Sequence, residues 1–291
     1  MSNSLKEVQK RITSTENTAQ ITKAMYMVSS SKVKRAEKVY KGYQDFMNRI
    51  KDMVGQILSK TDEDYIHPLM VPRPINKTAY LIITSDRGLA GAYNSSIYKA
   101  LEERIKQDGQ SIESIVCGAI GKQGFGYLKR KGYPLILEEA TFIRDDVMFI
   151  DILPLAKSFI TAFLENKIDK LTIVYNHYIN SLQQEVQFED LLPIESLEKT
   201  TGSTDYVYET GIEKTLNLVL PMYIQDRIYG IILDAKVSEH SARMNSMRNA
   251  TDNAEEVIEK LQLLYNRARQ DAITTELIDI IGGANAIGGD A

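Results

Sequence analysis

The sequence predicts an α/β fold: a long antiparallel coiled coil of N- and C-terminal helices, with an inserted Rossmann-like open-sheet domain. Three observations predict it. Apolar residues recur at helical spacing from Leu5 to Ile57 and again from about Ile212 to Ile281. Between these stretches, apolar β-rich runs alternate with shorter helical ones. The expected boundaries are residues 1–60 for the first helix, 75–206 for the inserted domain and 210–283 for the last helix.

In the first helix, Leu5, Val8, Ile12, Thr15, Ala19, Thr22, Tyr26, Ser29, Val33, Ala36, Val39, Tyr43, Phe46, Ile50, Met53 and Ile57 step by three and four. That is a coiled-coil seam of about seven heptads. Ser29, Ser30 and Ser31 make its middle small and polar, which favours close approach of a second helix. Gly42 and Gly55 each cost about 1 kcal/mol against Ala.

In the inserted region, Ala79 to Thr84 reads as a strand, followed by the turn Ser85 to Gly91 and a helix to about Lys106. Ile112 to Ala119 reads as a second strand, Lys122 to Lys131 as a helix, and Asp151 to Glu165 as another. Leu171 to Tyr178 and Gln184 to Phe188 form a hairpin, and Leu192 to Asp205 is a polar loop. The βαβα order makes the sheet largely parallel.

The last helix is expected to start at a capping box, Thr210 with Glu213, to kink at Pro221 and to stop at Gly282-Gly283. Its seam is Val257, Leu261, Leu264, Ala268, Ala272, Leu277 and Ile280, and at 1.5 Å per residue it is about 100 Å long. If both helices leave the domain at one level, partner numbers sum to about 269 and Leu5 faces about Leu264. About 17 residues, or about 25 Å, then protrude with Ile273, Leu277, Ile278, Ile280 and Ile281 bare, which requires an enclosing protein.

Composition agrees with helices rather than an all-β body: 25% of the 291 residues are charged, there is no Trp and there are seven Pro. Ser4 to Lys60 holds twelve Lys and Arg against five Asp and Glu, so it carries +7; the chain totals -4, which leaves -11 elsewhere. The plain reading is a solvated helix face, and the sharper one an acidic partner. Cys117 is the one cysteine, which excludes an internal disulfide and fits a reducing compartment. No signal segment and no apolar run of 18 residues is present, so direct membrane insertion is not expected.

Chemistry is sparse. The turn Asp86-Arg87-Gly88-Leu89-Ala90-Gly91 lies between strand and helix, where a phosphate can be cradled, but it lacks the G-x-G-x-x-G spacing. Gly118 to Gln123 has the wrong spacing for a P-loop and no Ser or Thr after Lys122. His67, His177 and His240 stand far apart without ligand-spaced companions, so no metal or other cofactor is expected. The Ser29 to Ser31 run suits close helix contact better than nucleophilic work, and no acid/base pair emerges, so no catalytic residue is expected.

Ile21 to Val28 with Ser31-Lys32, and Ser85-Asp86-Arg87-Gly88-Leu89, resemble the gamma subunit of the F-type (proton-translocating) ATP synthase. So do Ser238 to Met244 with Ala250 to Ala254, and Tyr265 to Gln270 with Ile273-Thr274. The resemblance runs from end to end and in order. Its departures are local: Ala90 where Cys is common, Ser29 and Ser30 where Ala is common, and Tyr26 where a charged residue is usual. No paired-cysteine insertion is present, so the thiol switch of chloroplast relatives is not expected.

The resemblance implies a non-catalytic rotor shaft that couples ion-driven rotation to ATP synthesis or hydrolysis. The terminal helices would stand inside the ring of alpha and beta subunits, with the sheet domain on the epsilon subunit and the c-ring. It implies peripheral attachment to the cytoplasmic side of a bacterial plasma membrane. It also implies that Arg87 faces an acidic beta loop, that Arg269, Gln270 and Thr274 meet the beta loop gripping the shaft, and that Met25 and Arg243 pack within the shaft. Two rival readings remain from the residues: a nucleotide-binding enzyme on the Rossmann-like domain, which lacks a phosphate loop, and a nucleic-acid-binding coiled coil. The second would use the +7 segment, but aromatic interleaving is sparse there, so no nucleic-acid partner is expected.

Overall fold

β1 (Thr78–Ile83) and β2 (Ile115–Ile120) are buried along their whole length, which the runs TAYLII and IVCGAI allow because apolar residues occupy both faces. In this computed structural model, which describes residues 2–61, 65–137, 141, 144–195, 197 and 211–288, they belong to a four-stranded sheet of order β2-β1-β3-β4. β3 (Lys170–Tyr178) runs parallel to β1, with Thr78 opposite Lys170. β4 (Gln184–Leu192) is the antiparallel edge, with a register shift at Leu171/Thr172.

Alternation along each strand builds two cores. Ala79, Leu81, Ile83 and Ile173 face α4 (Phe149–Leu164), through Phe159 and Phe163, together with parts of the two long helices. Tyr80, Ile82, Cys117 and Val174 face α2 (Tyr93–Gln107) and α3 (Lys122–Lys131), through Ile97, Leu101 and Leu128. Two expectations shift at their edges: the second apolar run opens with a 3-10 turn at Ile112–Ser114, and β4 continues past Phe188 to Leu192.

α1 (Ser2–Ser59) and α5 (Ile212–Gly288) are the long helices, and α5 passes without a break through Pro221, which has no N–H to donate. The chain divides into two compact units. One contains Ser29–Arg243, and the other pairs Met1–Val28 with Met244–Ala291. In the first, Val54, Ile57 and Leu58 of α1 and Leu216, Leu220, Ile224, Ile228 and Ile232 of α5 belong to the sheet's core. In the second, Ile12, Ala19 and Thr22 are buried with Met247, Thr251 and Ala254, and Thr251 Oγ1 donates to Thr22 Oγ1 at 2.8 Å.

The structure corrects the seam. On α1 the protected positions include 5, 8, 12, 15, 19, 22, 26, 29, 33, 36, 40, 43, 47, 50, 54 and 57, so Tyr40 and Met47 replace Val39 and Phe46, while Val54 is buried alongside a half-buried Met53. On α5 they are 247, 251, 254, 258, 261, 265, 268, 272 and 275, so Val257, Leu264, Leu277 and Ile280 turn outward. The reason is strict three-four alternation, which keeps every contact within one heptad stripe.

The register moves as well. Thr22 and Thr251 sum to 273, one turn from the expected 269, and 273 pairs stripe with stripe at Ile12–Leu261, Ala19–Ala254 and Val8–Tyr265. Nor does α5 stop at Gly282-Gly283; it runs to Gly288. Glycine ends a helix by turning left-handed, as Gly132 does after α3 with φ 74°, whereas Gly282 has no positive φ. Thr210 of the expected capping box lies outside the described residues.

Candidate partner-contact site

The β1–α2 turn is fixed from below. Thr84 Oγ1 donates to the Ile120 carbonyl at 2.8 Å, and the Ser85 amide donates to Asn94 Oδ1 at 3.0 Å. Gly121, with φ 92°, lets the β2–α3 connection pass beneath: a Cβ there would stand 2.3 Å from the Thr84 carbonyl oxygen. Above this base, Arg87, Gly88 and Leu89 are exposed, and Leu89 holds φ 62°. The Arg87 backbone is held while its side chain faces outward.

The same contacts occupy the start of α3. Lys122 N donates to Asp86 Oδ1 at 3.0 Å, Gln123 N to the Ser85 carbonyl at 3.2 Å, and Gly124 N to Thr84 Oγ1 at 2.9 Å. These are the amides a phosphate would use, and protein acceptors already fill them. That arrangement speaks against a phosphate site at the Gly118–Gln123 segment.

Facing the turn, α5 carries a charged cluster of which the sequence reading singled out only Arg243. Glu239 is buried, with Lys236 Nζ 3.2 Å from Oε2 and Arg243 Nη2 2.9 Å from Oε1. Burial alone would raise its pKa, but the Lys236 and Arg243 charges outweigh it and hold the carboxyl below its ordinary range. Arg243 Nη2 also donates to the Arg87 carbonyl at 3.1 Å. Beside this, His240 Nε2 lies 3.3 Å from Asp145 Oδ1 and Lys32 Nζ 2.5 Å from Oδ2. The His240 hydrogen bond, then Lys32, hold the Asp145 carboxyl well below the usual range against its partial burial.

A second network ties both long helices to the sheet. Asp234 accepts from the Tyr178 amide at 2.9 Å and from Tyr40 Oη at 3.1 Å, and lies 2.5 Å from His177 Nδ1. Its burial raises the carboxyl's pKa despite these donors. Next to it, a cavity of about 350 Å³ is lined by Tyr43, Tyr175, Arg227 and Asp234 among others.

The six predicted residues fall into two groups. Arg87 and Arg243 meet in the sheet-bearing unit. Met25, Arg269, Gln270 and Thr274 belong to the other unit, where Met25 is half-buried and the remaining three are exposed; the Thr274 hydroxyl bonds back to the Gln270 carbonyl at 2.9 Å. Sequence reasoning missed Lys236, Glu239 and Asp145. The 236, 239, 243 spacing was a usable signal, but charges at that spacing are usually a solvated face.

A three-layer α/β domain interrupting one antiparallel helical pair defines a class: coiled-coil subunits that carry an inserted sheet domain. Residues 4–287 match the family model described as ATP synthase. An ATP synthase gamma chain from Exiguobacterium sp. is 42% identical over 284 residues, covering 98% of this chain and 99% of that one. Among solved structures, a chain of the Tetrahymena thermophila mitochondrial ATP synthase central stalk and c-ring is 26% identical, with a TM-score of 0.60 over 79% of this chain and 99% of that one. A chain of the Euglena gracilis mitochondrial enzyme, at 17% identity and TM-score 0.68 over 100% and 97%, shares the fold. The chain belongs to the ATP synthase gamma-chain family.

Proposed function

We propose that this chain is the central rotor shaft of an F-type ATP synthase, coupling rotation of a membrane c-ring to ATP synthesis or hydrolysis in an alpha/beta hexamer. α1 and α5 form the shaft. The sheet domain, about residues 75–206, forms the foot that meets the epsilon subunit and the c-ring. The complex sits at a bacterial plasma membrane with this chain on the cytoplasmic side, and no described helix is long and apolar enough to cross a membrane. The chain itself does not catalyse: one asymmetric shaft touches each catalytic subunit differently and biases each toward a different affinity. Arg87, Arg269, Gln270 and Thr274 are the beta-subunit contacts, and Met25 and Arg243 set the shaft's local packing.

The observation that carries this reading is the length of α5. With partners summing to 273, Ser2 stands opposite residue 271, yet α5 continues to Gly288, about 17 residues or about 25 Å further. There Ile273, Leu277, Ile278, Ile280 and Ile281 are 50% to 62% exposed. So much bare apolar surface on one helix needs an enclosing ring.

Truncation tests it. A chain ending at Ile281 should reconstitute with alpha and beta subunits almost as fully as the whole chain, whereas one ending at Ala268 should assemble several-fold less. Equal yields from the two would refute the bearing role.

A further inference from the structure

One nitrogen joins α5 to the exposed turn. Arg243 Nη2 donates to Glu239 Oε1 at 2.9 Å and to the Arg87 carbonyl at 3.1 Å. That carbonyl also accepts from Ser85 Oγ at 2.7 Å. Ser85 is buried in the base of the turn, so Arg87 is held from two sides: by its own strand and by α5. Behind Arg243, Glu239 is only 5% exposed and carries Lys236 on its other oxygen.

This arrangement has a chemical logic. Arg87 and Arg243 are both cations, and bringing them together needs a compensating anion. Glu239 supplies it, shared between Arg243 on one oxygen and Lys236 on the other, while the Arg87 guanidinium stays outside. A planar guanidinium held by a buried carboxylate is also a stiff strut, whereas an ammonium on a flexible stem is not. The crest at Gly88 and Leu89, with Leu89 in a left-handed conformation, is a place where the backbone would otherwise be free to relax.

We propose that Arg243, held by Glu239, is a positioning residue for Arg87: it pins the crest of the β1–α2 turn to α5, so that α5 and the Arg87 side chain move as one piece. The proposal rests on Arg87 being a contact to the beta subunit, and it adds the element that aims that contact. Arg243 and Glu239 act through Arg87 and need not touch the partner.

The test has two arms. In the purified full chain, a nitroxide on Leu89→Cys reports the crest; Cys117 is buried with its thiol pushed up to about 12, so it does not compete for the label. Arg243→Ala and Glu239→Gln should each mobilise the label. Arg243→Lys, which keeps the charge without the fork, should give an intermediate spectrum and guards against a variant that fails to fold. Unchanged label mobility in all three would overturn the proposal.

In reconstituted complex, Arg87→Ala and Arg243→Ala should each lower coupled ATP synthesis about fivefold, and the double variant should be no worse than Arg87→Ala alone. Losses that multiply would overturn the proposal, because Arg243 would then act independently of Arg87. If the label loosens while Arg87→Ala leaves coupling intact, the pin stands and the reading of Arg87 as a partner contact fails.

Discussion

Arg87 illustrates how a side chain can be exposed on a fixed backbone: its carbonyl is bonded twice, while its guanidinium faces solvent. Arg87→Glu should therefore leave the chain folded and soluble, which a melting curve checks. In the assembled complex, repulsion in place of attraction at one exposed contact should cost about 1 kcal/mol or somewhat more. ATPase rate or coupling should change several-fold while hydrolysis persists; abolished hydrolysis in a correctly assembled complex would point to a catalytic role. His67 gives a pH prediction at the same scale. Its Nδ1 accepts from the Leu69 amide at 3.1 Å, and its Nε2 lies 3.0 Å from Asn217 Oδ1, so the folded chain holds the neutral ring. Burial lowers its pKa, with the Asn217 bond opposing. The unfolded chain thus binds a proton more readily, and the stabilisation is complete above the unfolded value of about 6.5 and is lost as pH falls through the lowered folded value. Melting temperature should drop less between pH 7 and pH 5 in His67→Gln than in the parent; identical slopes would exclude His67 as the source. The sequence offered His67 only as an isolated histidine, because its Asn217 partner comes from α5, 150 positions away.

The existence and type of the elements were legible because their signals are local. β1 is a continuous apolar, β-rich run, the two long helices carry apolar residues at helical spacing, and Lys122–Lys131 was bounded to the residue by Gly121 and Gly132. The phase of the seam was less legible. Val39 and Tyr40, Phe46 and Met47, and Met53 and Val54 are adjacent apolar pairs, so the pattern alone admits either member. Packing decides at two of the pairs: Tyr40 and Met47 turn inward, Met47 close to Gly230, where a Cβ would lie 3.8 Å from its Cγ, while Val39 and Phe46 stay exposed; at the third, both Met53 and Val54 are covered. The register is testable at this scale. Ile12→Cys with Leu261→Cys, partners at 273, should crosslink on mild oxidation, whereas Ile12→Cys with Val257→Cys, partners at 269, should not. The reverse pattern would restore the register expected from helix exits alone.

At the scale of the whole molecule, the two compact units differ in how they bury surface. The sheet-bearing unit has two apolar cores; the other relies on a narrow stripe that includes Thr15, Ala19, Thr22, Thr251 and Ala254. Native-state hydrogen exchange should therefore leave β1, β2 and β3 amides protected longest, the paired helices of the second unit less, and α5 beyond about residue 271 least. Uniform protection along α5 would mean that its end is covered by something other than α1. By itself the sequence determined the order and kind of the elements, the antiparallel return of the last helix and the family, since each rests on residues near one another or on motifs read in place. Only the tertiary structure decided the one-turn register, the continuation of α5 through Gly282, and the meeting of Arg87 with Glu239 and Arg243. These depend on which of several nearly equivalent packings fills space and pairs charge between residues some 150 positions apart, and no local pattern records that choice.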